Sequence, residues 1–247
     1  MLFHILTLFP EMVGCFFRES IVKRSIDRGL IEVDIIDIRN HSRDKHRKVD
    51  DYPFGGGRGM LLAPDPLFRA LESIDDRGCV IYLSPRGKLL TQSFVREYAR
   101  RPVMTLVSGH YEGIDQRVID TYVDEEISIG DYVMTGGEIA AAVFVDALIR
   151  EIDDALGSRE SKLEESFDET GLLEYEQYTR PAEYRGMRVP EILLSGDHKR
   201  IEQWRLKRRL INTMKRRPDL LDMRRLPDSY KYLLQEIEEE KDNERGE

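Results

Sequence analysis

CVIYLSPRGKLLTQSFVREYARRPVMTLVSGHYEGIDQRVIDTYVDEEISIGDYVMTGGE (79–138) decides the fold. Three short β-rich runs, CVIYLS (79–84), VMTLVS (103–108) and EEISIG (125–130), alternate with two helical patterns, TQSFVREYARR and GIDQRVIDTY. Thr91 is the candidate N-cap of the first helix. Upstream, LFHILTLF (2–9) precedes an amphipathic stretch that runs to Arg28 and stops at Gly29, and IEVDIIDI (31–38) supplies another strand. This alternation predicts an α/β domain with a mainly parallel sheet and helices on both faces. Ligands of such sheets sit beyond the carboxyl ends of the strands. The segments found there, SPRGKL, SGHYEGID and GDYVMTGGE, are all glycine-rich, and glycine lets backbone come close to a ligand. One such loop is an ordinary tight turn. Three on successive strand ends predict one composite pocket.

Beyond a helix from Glu138 to about Ile152 the composition changes. The expected organisation is an α/β domain over 1–155, a mobile acidic linker over 156–180, and a small all-helical C-terminal domain with an acidic tail over 181–247. The chain carries a net charge of −9, but its charges are segregated. HKRIEQWRLKRRLINTMKRRP (198–218) holds nine Lys or Arg against one Glu. Such a local basic field can bind phosphates whatever the total charge, with Arg205, Lys207, Arg208 and Arg209 as candidate contacts. A solvated helix face fits the same composition.

Cys15 and Cys79 are too few for a disulfide framework or a zinc cage, and read as two reduced, buried thiols in a cytoplasmic protein. The apolar start, MLFHILTLFPEMVGCFF, lacks a basic leading region and is interrupted by Pro10-Glu11, so it reads as a strand entering a helix. IAAAVFVDALI (139–149) is too short to span a bilayer, and no membrane association is expected. PFGGGRGM (53–60) lacks the Lys-Ser or Lys-Thr pair of a phosphate-binding P-loop and reads as a substrate-facing loop. RDKHRKVDD (43–51) just before it mixes cations and carboxylates and is a candidate RNA-backbone contact. The five histidines have no metal-ligand spacing, no GxSxG nucleophile motif occurs, and no transition-metal site is expected.

PFGGGRGM, YLSPRG (82–87), GHYEGIDQR (109–117), EEISIGDYVMTGGE (125–138), SF…GLLE…YTRP (166–181) and VPEILLSGDH (189–198) follow one another in this order. Together they resemble the TrmD family of tRNA (guanine-N1)-methyltransferases within the SPOUT superfamily. The resemblance runs from Met1 to about Leu221. It implies a deep trefoil knot in the α/β domain, an exception to the rule that chains avoid knots. It also implies a homodimer with active sites at the subunit interface, and S-adenosylmethionine bound bent inside the knot. Motif by motif, Tyr82, Leu83, Ser84 and Pro85 match one wall of that site. Gly109, Tyr111, Glu112 and Gly113 match the second loop. Ile129, Gly130, Asp131, Tyr132, Val133 and Met134, with Gly136 and Gly137, match the third.

The implied substrate is the anticodon arm of tRNA, with guanosine at position 37 as methyl acceptor and a guanosine before it. Guanine N1 must lose its proton, which a carboxylate can take while a cation steadies charge on O6. In the family an arginine ending the helix after the knot supplies the cation, and Arg150 matches it. The base is an aspartate in an Asp-Ser-Phe pattern. Here Glu165 stands before Ser166-Phe167, a departure that keeps the charge and lengthens the side chain, with Asp168 nearby in sequence. Glu112 is a candidate contact to the guanine edge. The family requires Mg²⁺, for which no ligand set is legible in this sequence. Two other readings use the same fold: a SPOUT enzyme acting on a ribose 2′-hydroxyl or another base, and a non-catalytic RNA-binding relative.

Overall fold

The computed structural model describes residues 1–155 and 165–245, with 238–245 described by backbone alone. The chain divides into two compact units, Met1–Gly157 and Ser158–Glu247. Of the expected linker, residues 156–164 lie outside the described residues, as do 246–247 at the end of the acidic tail.

The first unit begins with β1 (Leu2–Thr7), α1 (Pro10–Phe16), α2 (Ser20–Asp27) and β2 (Glu32–Asp37). Short β3 (Asp50–Asp51) and β4 (Leu61–Leu62) bracket the glycine-dense segment and lead into α3 (Pro64–Glu72). Then come β5 (Cys79–Leu89), α4 (Gln92–Tyr98), β6 (Val103–Ser108), α5 (Gln116–Tyr122), β7 (Glu125–Ser128) and α6 (Glu138–Ile149). Thr91 caps α4 by accepting from the Phe94 N–H at 3.5 Å, and Gly29, at φ +68°, follows α2. Five strands form one sheet in the order β2-β1-β6-β5-β7, with every pairing parallel.

Because strand side chains alternate between faces, each strand feeds two cores. Phe3, Ile5, Ile81, Leu83, Met104 and Leu106 point into one, closed by Val13 of α1, Val95 and Tyr98 of α4, and Phe144 and Leu148 of α6. Leu6, Val80, Tyr82 and Val107 point into the other, covered by Leu67 and Leu71 of α3 and Val118 of α5. The cysteines divide: Cys79 is buried, whereas Cys15 is exposed, which corrects the expectation of two buried thiols. Cys15 lies on α1 two positions after the buried Val13, so it faces the other side of the helix.

The second unit contains β8 (Glu183–Tyr184), β9 (Met187–Arg188), α7 (Glu191–Leu194), α8 (His198–Arg216) and α9 (Asp228–Arg245). The antiparallel hairpin of β8 and β9 departs from the all-helical expectation. Its core gathers Leu172, Leu210, Leu226, Leu234 and Ile237. Leu172 comes from the stretch read as linker, and its burial ties residues 165–176 to α8. Asp168, Leu173 and Glu174 also bond α8 through Arg209, Thr213 and Asn212. Composition missed this because the apolar side chains that anchor the stretch are few and lack a helical or strand period. Among the described residues, no helix is long and apolar enough to cross a membrane.

Candidate functional site

β5 leaves its regular pairing where Ser84–Gly87 bulge outward, so that both Leu83 and Lys88 face Ile127 of β7. The bulge, the loop after β6 and the loop after β7 enclose a cavity of about 490 Å³ in the first unit. Tyr82, Leu83, Ser84 and Pro85 form its first wall, as read from the sequence. Gly109, Tyr111, Glu112 and Gly113 form the second. Ile129, Gly130, Tyr132, Val133, Met134, Gly136 and Gly137 form the third. Asp131 does not join them and is exposed.

The walls hold one another. The Gly137 N–H donates to the Gly109 carbonyl at 2.8 Å, and His110 and Gly136 make an antiparallel bridge. A Cβ on Gly109 would stand 2.8 Å from the Tyr82 ring, and one on Gly137 would stand 2.8 Å from the Ser108 Cα. Such closeness is possible for glycine alone. Tyr111 sits at φ +59°, a left-handed conformation that costs a side-chain-bearing residue energy and recurs at ligand sites. The glycine-dense segment is stitched to the second wall. The Glu112 N–H donates to Met60, the Leu62 N–H to Gly113 and the Asp115 N–H to Leu62. Leu61 thereby lines the cavity, the sequence signal for it being the neighbouring PFGGGRGM.

Sequence reading passed over two polar groups here. Ser108 Oγ and His110 Nδ1 are buried and, among the described residues, have no hydrogen-bond partner. Tyr82 is 5% exposed, and burial pushes its phenol above the ordinary tyrosine range, so it remains protonated. Arg86 binds Glu126 at 3.2 Å, and the Arg117 guanidinium holds the Asp115 carboxyl below its usual range. The result is a slot with Leu83, Pro85, Ile129 and Met134 as its apolar part and polar side chains and backbone around them, of a volume suited to one small molecule (roughly 300–1,000 Å³).

Arg150 is exposed and caps the carboxyl end of α6. The amino end of that helix is the one at the cavity, so the two are separated by its length, roughly 18 Å. Glu165 belongs to the second unit. Around it the chain is tightly bonded: Glu174 N–H donates to Ser166 Oγ at 3.0 Å, Phe167 N–H to Leu172, and Thr170 N–H to Asp168. Asp168 is engaged, its carboxylate accepting from Arg209 at 2.6 Å with side chains only 11% and 6% exposed. Two of the candidate phosphate contacts are likewise engaged. Arg209 is buried, and Arg208 forks onto Glu176. Arg205 lies over the Tyr175 ring at 4.8 Å. The exposed cations of α8 are Lys199, Arg200, Lys215 and Arg216.

A ligand slot built from three strand-end loops on a parallel sheet defines an α/β enzyme with its binding site at the carboxyl edge. Residues 1–223 match the family model described as tRNA (Guanine-1)-methyltransferase TrmD. A tRNA (guanine-N(1)-)-methyltransferase of Caldanaerobacter subterraneus is 51% identical over 238 residues, covering 96% of this chain and 98% of that one. The enzyme of the same name from Fusobacterium nucleatum is 51% identical over 96% of this chain and 98% of its own. That from Pediococcus pentosaceus is 47% identical over 95% and 97%. The chain belongs to the TrmD family of tRNA (guanine-N1)-methyltransferases.

Proposed function

We propose that the protein methylates N1 of guanosine 37 in tRNA, with S-adenosylmethionine held in the three-loop cavity. The observation that carries this reading is that the loops matched to the family's donor site converge on one slot in a chain of that family. The slot fits the donor. Leu83, Pro85, Ile129 and Met134 offer an apolar bed for adenine, the glycines offer backbone, and the unpartnered His110 Nδ1 offers a polar contact. Bound there, S-adenosylmethionine supplies an electrophilic methyl group and leaves as a neutral thioether. A trefoil knot around this cavity is part of the same reading.

Glu165 takes the N1 proton as general base, and Arg150 steadies the charge that develops on O6. Glu112, on the second wall, bonds the guanine edge in this reading. A homodimer is part of the same reading, and the position of Arg150 supports it. A helix length separates Arg150 from the cavity of its own chain, and a second copy would bring it to the reaction. α6 supports this, because apart from Glu138 and Asp146 it is apolar all round yet leaves Ile139 51% and Val143 43% exposed. Among the described residues no three His, Cys, Asp or Glu side chains converge to hold an ion, and the steps above use no Mg²⁺.

The test is methyl transfer to tRNA transcripts that differ only at positions 36 and 37, with the modified nucleoside identified by mass spectrometry. N1-methylguanosine at position 37 is expected. A 2′-O-methyl product, or no transfer at all, sinks the proposal. Glu165→Gln should lower the single-turnover rate by ~10²-fold or more while S-adenosylmethionine and tRNA still bind. Glu165→Asp should keep much of the activity.

A further inference from the structure

We infer that Glu138 is the counter-charge that lets this cavity hold a cation, and so distinguishes the methyl donor from its neutral product. The inference rests on the reading of the cavity as an S-adenosylmethionine site. α6 starts at Glu138, and Gly136, Gly137 and Ala140 line the cavity, so the amino end of the helix is part of its wall. The unsatisfied N–H groups of such an end act as roughly half a positive charge. A sulfonium brought to that wall is repelled. The guanidinium of Arg86, also in the wall, adds to the effect, although Glu126 partly offsets it.

Glu138 stands at the first helical position and is 3% exposed. One of its oxygens is fixed by Thr7, whose hydroxyl accepts from the Phe9 N–H at 2.9 Å and donates to Oε1 at 2.8 Å. The other, Oε2, comes within 2.4 Å of the point where a Cβ on Gly136 would stand, behind the cavity wall. The same point is 2.7 Å from His110 Nδ1. A carboxylate at this place cancels the field of the helix end. Tying β1 to α6 would need only its hydrogen bond to Thr7, which an amide makes equally well. Glu112, the carboxylate that lines the cavity itself, is exposed, and salt and water screen it.

The methyl donor and its demethylated product differ in one methyl group and one positive charge. At an effective permittivity of about 20, removing a unit charge some 10 Å away weakens binding of a cation by roughly tenfold. Calorimetric titration of the full-length protein with S-adenosylmethionine and with S-adenosylhomocysteine tests this. Glu138→Gln should weaken the first by roughly tenfold and the second by less than about twofold. Thr7→Val, which keeps the charge, should leave the ratio of the two affinities unchanged. In the parent protein, an analogue with an ammonium group in place of the sulfonium should bind more tightly than the thioether. Equal loss for both ligands in Glu138→Gln, or an ammonium analogue bound no better than the thioether, overturns the counter-charge while the donor site stands. A parent protein that binds none of the three ligands overturns the donor site itself.

Discussion

Gly137→Ala tests the contact between the second and third walls. At φ −85° and ψ −5° the residue is in ordinary helical space, so alanine meets no backbone strain there. What it meets is other backbone, with Ser108 Cα at 2.8 Å, the Gly109 nitrogen at 3.0 Å and the Ser108 carbonyl carbon at 3.2 Å. Carbon atoms in contact prefer roughly 3.5–4.0 Å, so the loops must part by several tenths of an ångström. That movement stretches the 2.8 Å bond from Gly137 N–H to Gly109. Overpacking of this kind costs about 1–3 kcal/mol, and a weakened hydrogen bond adds about 1 kcal/mol. With ~2–4 °C lost per kcal/mol in a chain of this size, Tm should fall by roughly 4–16 °C. Donor affinity should fall by at least about tenfold, because the backbone groups that edge the slot shift by more than hydrogen bonds tolerate. Scanning calorimetry and donor titration read the two effects. Gly14→Ala is the control: its Cβ meets nothing closer than 3.7 Å, in α1, where alanine should be neutral or stabilising. If Gly137→Ala melts and binds like the parent, the walls are not held by this contact.

Asp168→Asn should strip the buried Arg209 of its carboxylate and destabilise the second unit by about 3–5 kcal/mol, measured by urea unfolding. Replacing both partners by apolar residues should cost less; a harmless Asp168→Asn would mean that the pair does not form. Lys199, Arg200, Lys215 and Arg216 are the cations to neutralise for tRNA binding. Each one that meets a phosphate should, when neutralised, reduce the slope of log affinity against log salt by ~0.7–0.9, and an unchanged slope returns α8 to a solvated face. The hydrogen bonds from Arg208 hold the Glu176 carboxyl below its usual range. That contribution is therefore complete above the ordinary glutamate pKa of about 4.3 and is lost as pH falls through the lower folded value. Glu176→Gln should remove this part of the acid dependence of Tm, and parallel pH profiles for variant and parent would count against it.

The α/β layout was legible because its cause is local. Val80-Tyr82 and Ile81-Leu83 alternate between two cores, and so do Phe3-Ile5 and Leu6-Leu8; any strand buried on both faces leaves that record. The three cavity loops were legible because glycines cluster where neighbouring groups leave no room for a Cβ, as at Gly137 against the Ser108 backbone. Glu138 was not, since a glutamate at a helix start looks like any favourable first-turn acid, and its burial under Thr7 is a long-range fact. Nor was the anchoring of residues 165–176. One leucine and one aspartate, Leu172 and Asp168, find partners some forty positions away on α8, and no window of sequence contains both ends. The same distance misled the reading of the basic helix, where Arg208 and Arg209 serve Glu176 and Asp168.

The unequal exposure of the two thiols has a spectroscopic consequence. Burial pushes the Cys79 thiol above its usual range, which slows its attack on electrophiles, while Cys15 stands open on α1. A maleimide dye at neutral pH therefore marks one position per chain without any engineered residue. That position lies on the helix packed against α6, which carries the exposed Ile139 and Val143. If two copies pair through that surface, as proposed, identical dyes come close enough to exchange excitation and depolarise each other's emission. Fluorescence anisotropy against protein concentration then becomes an optical gauge of assembly.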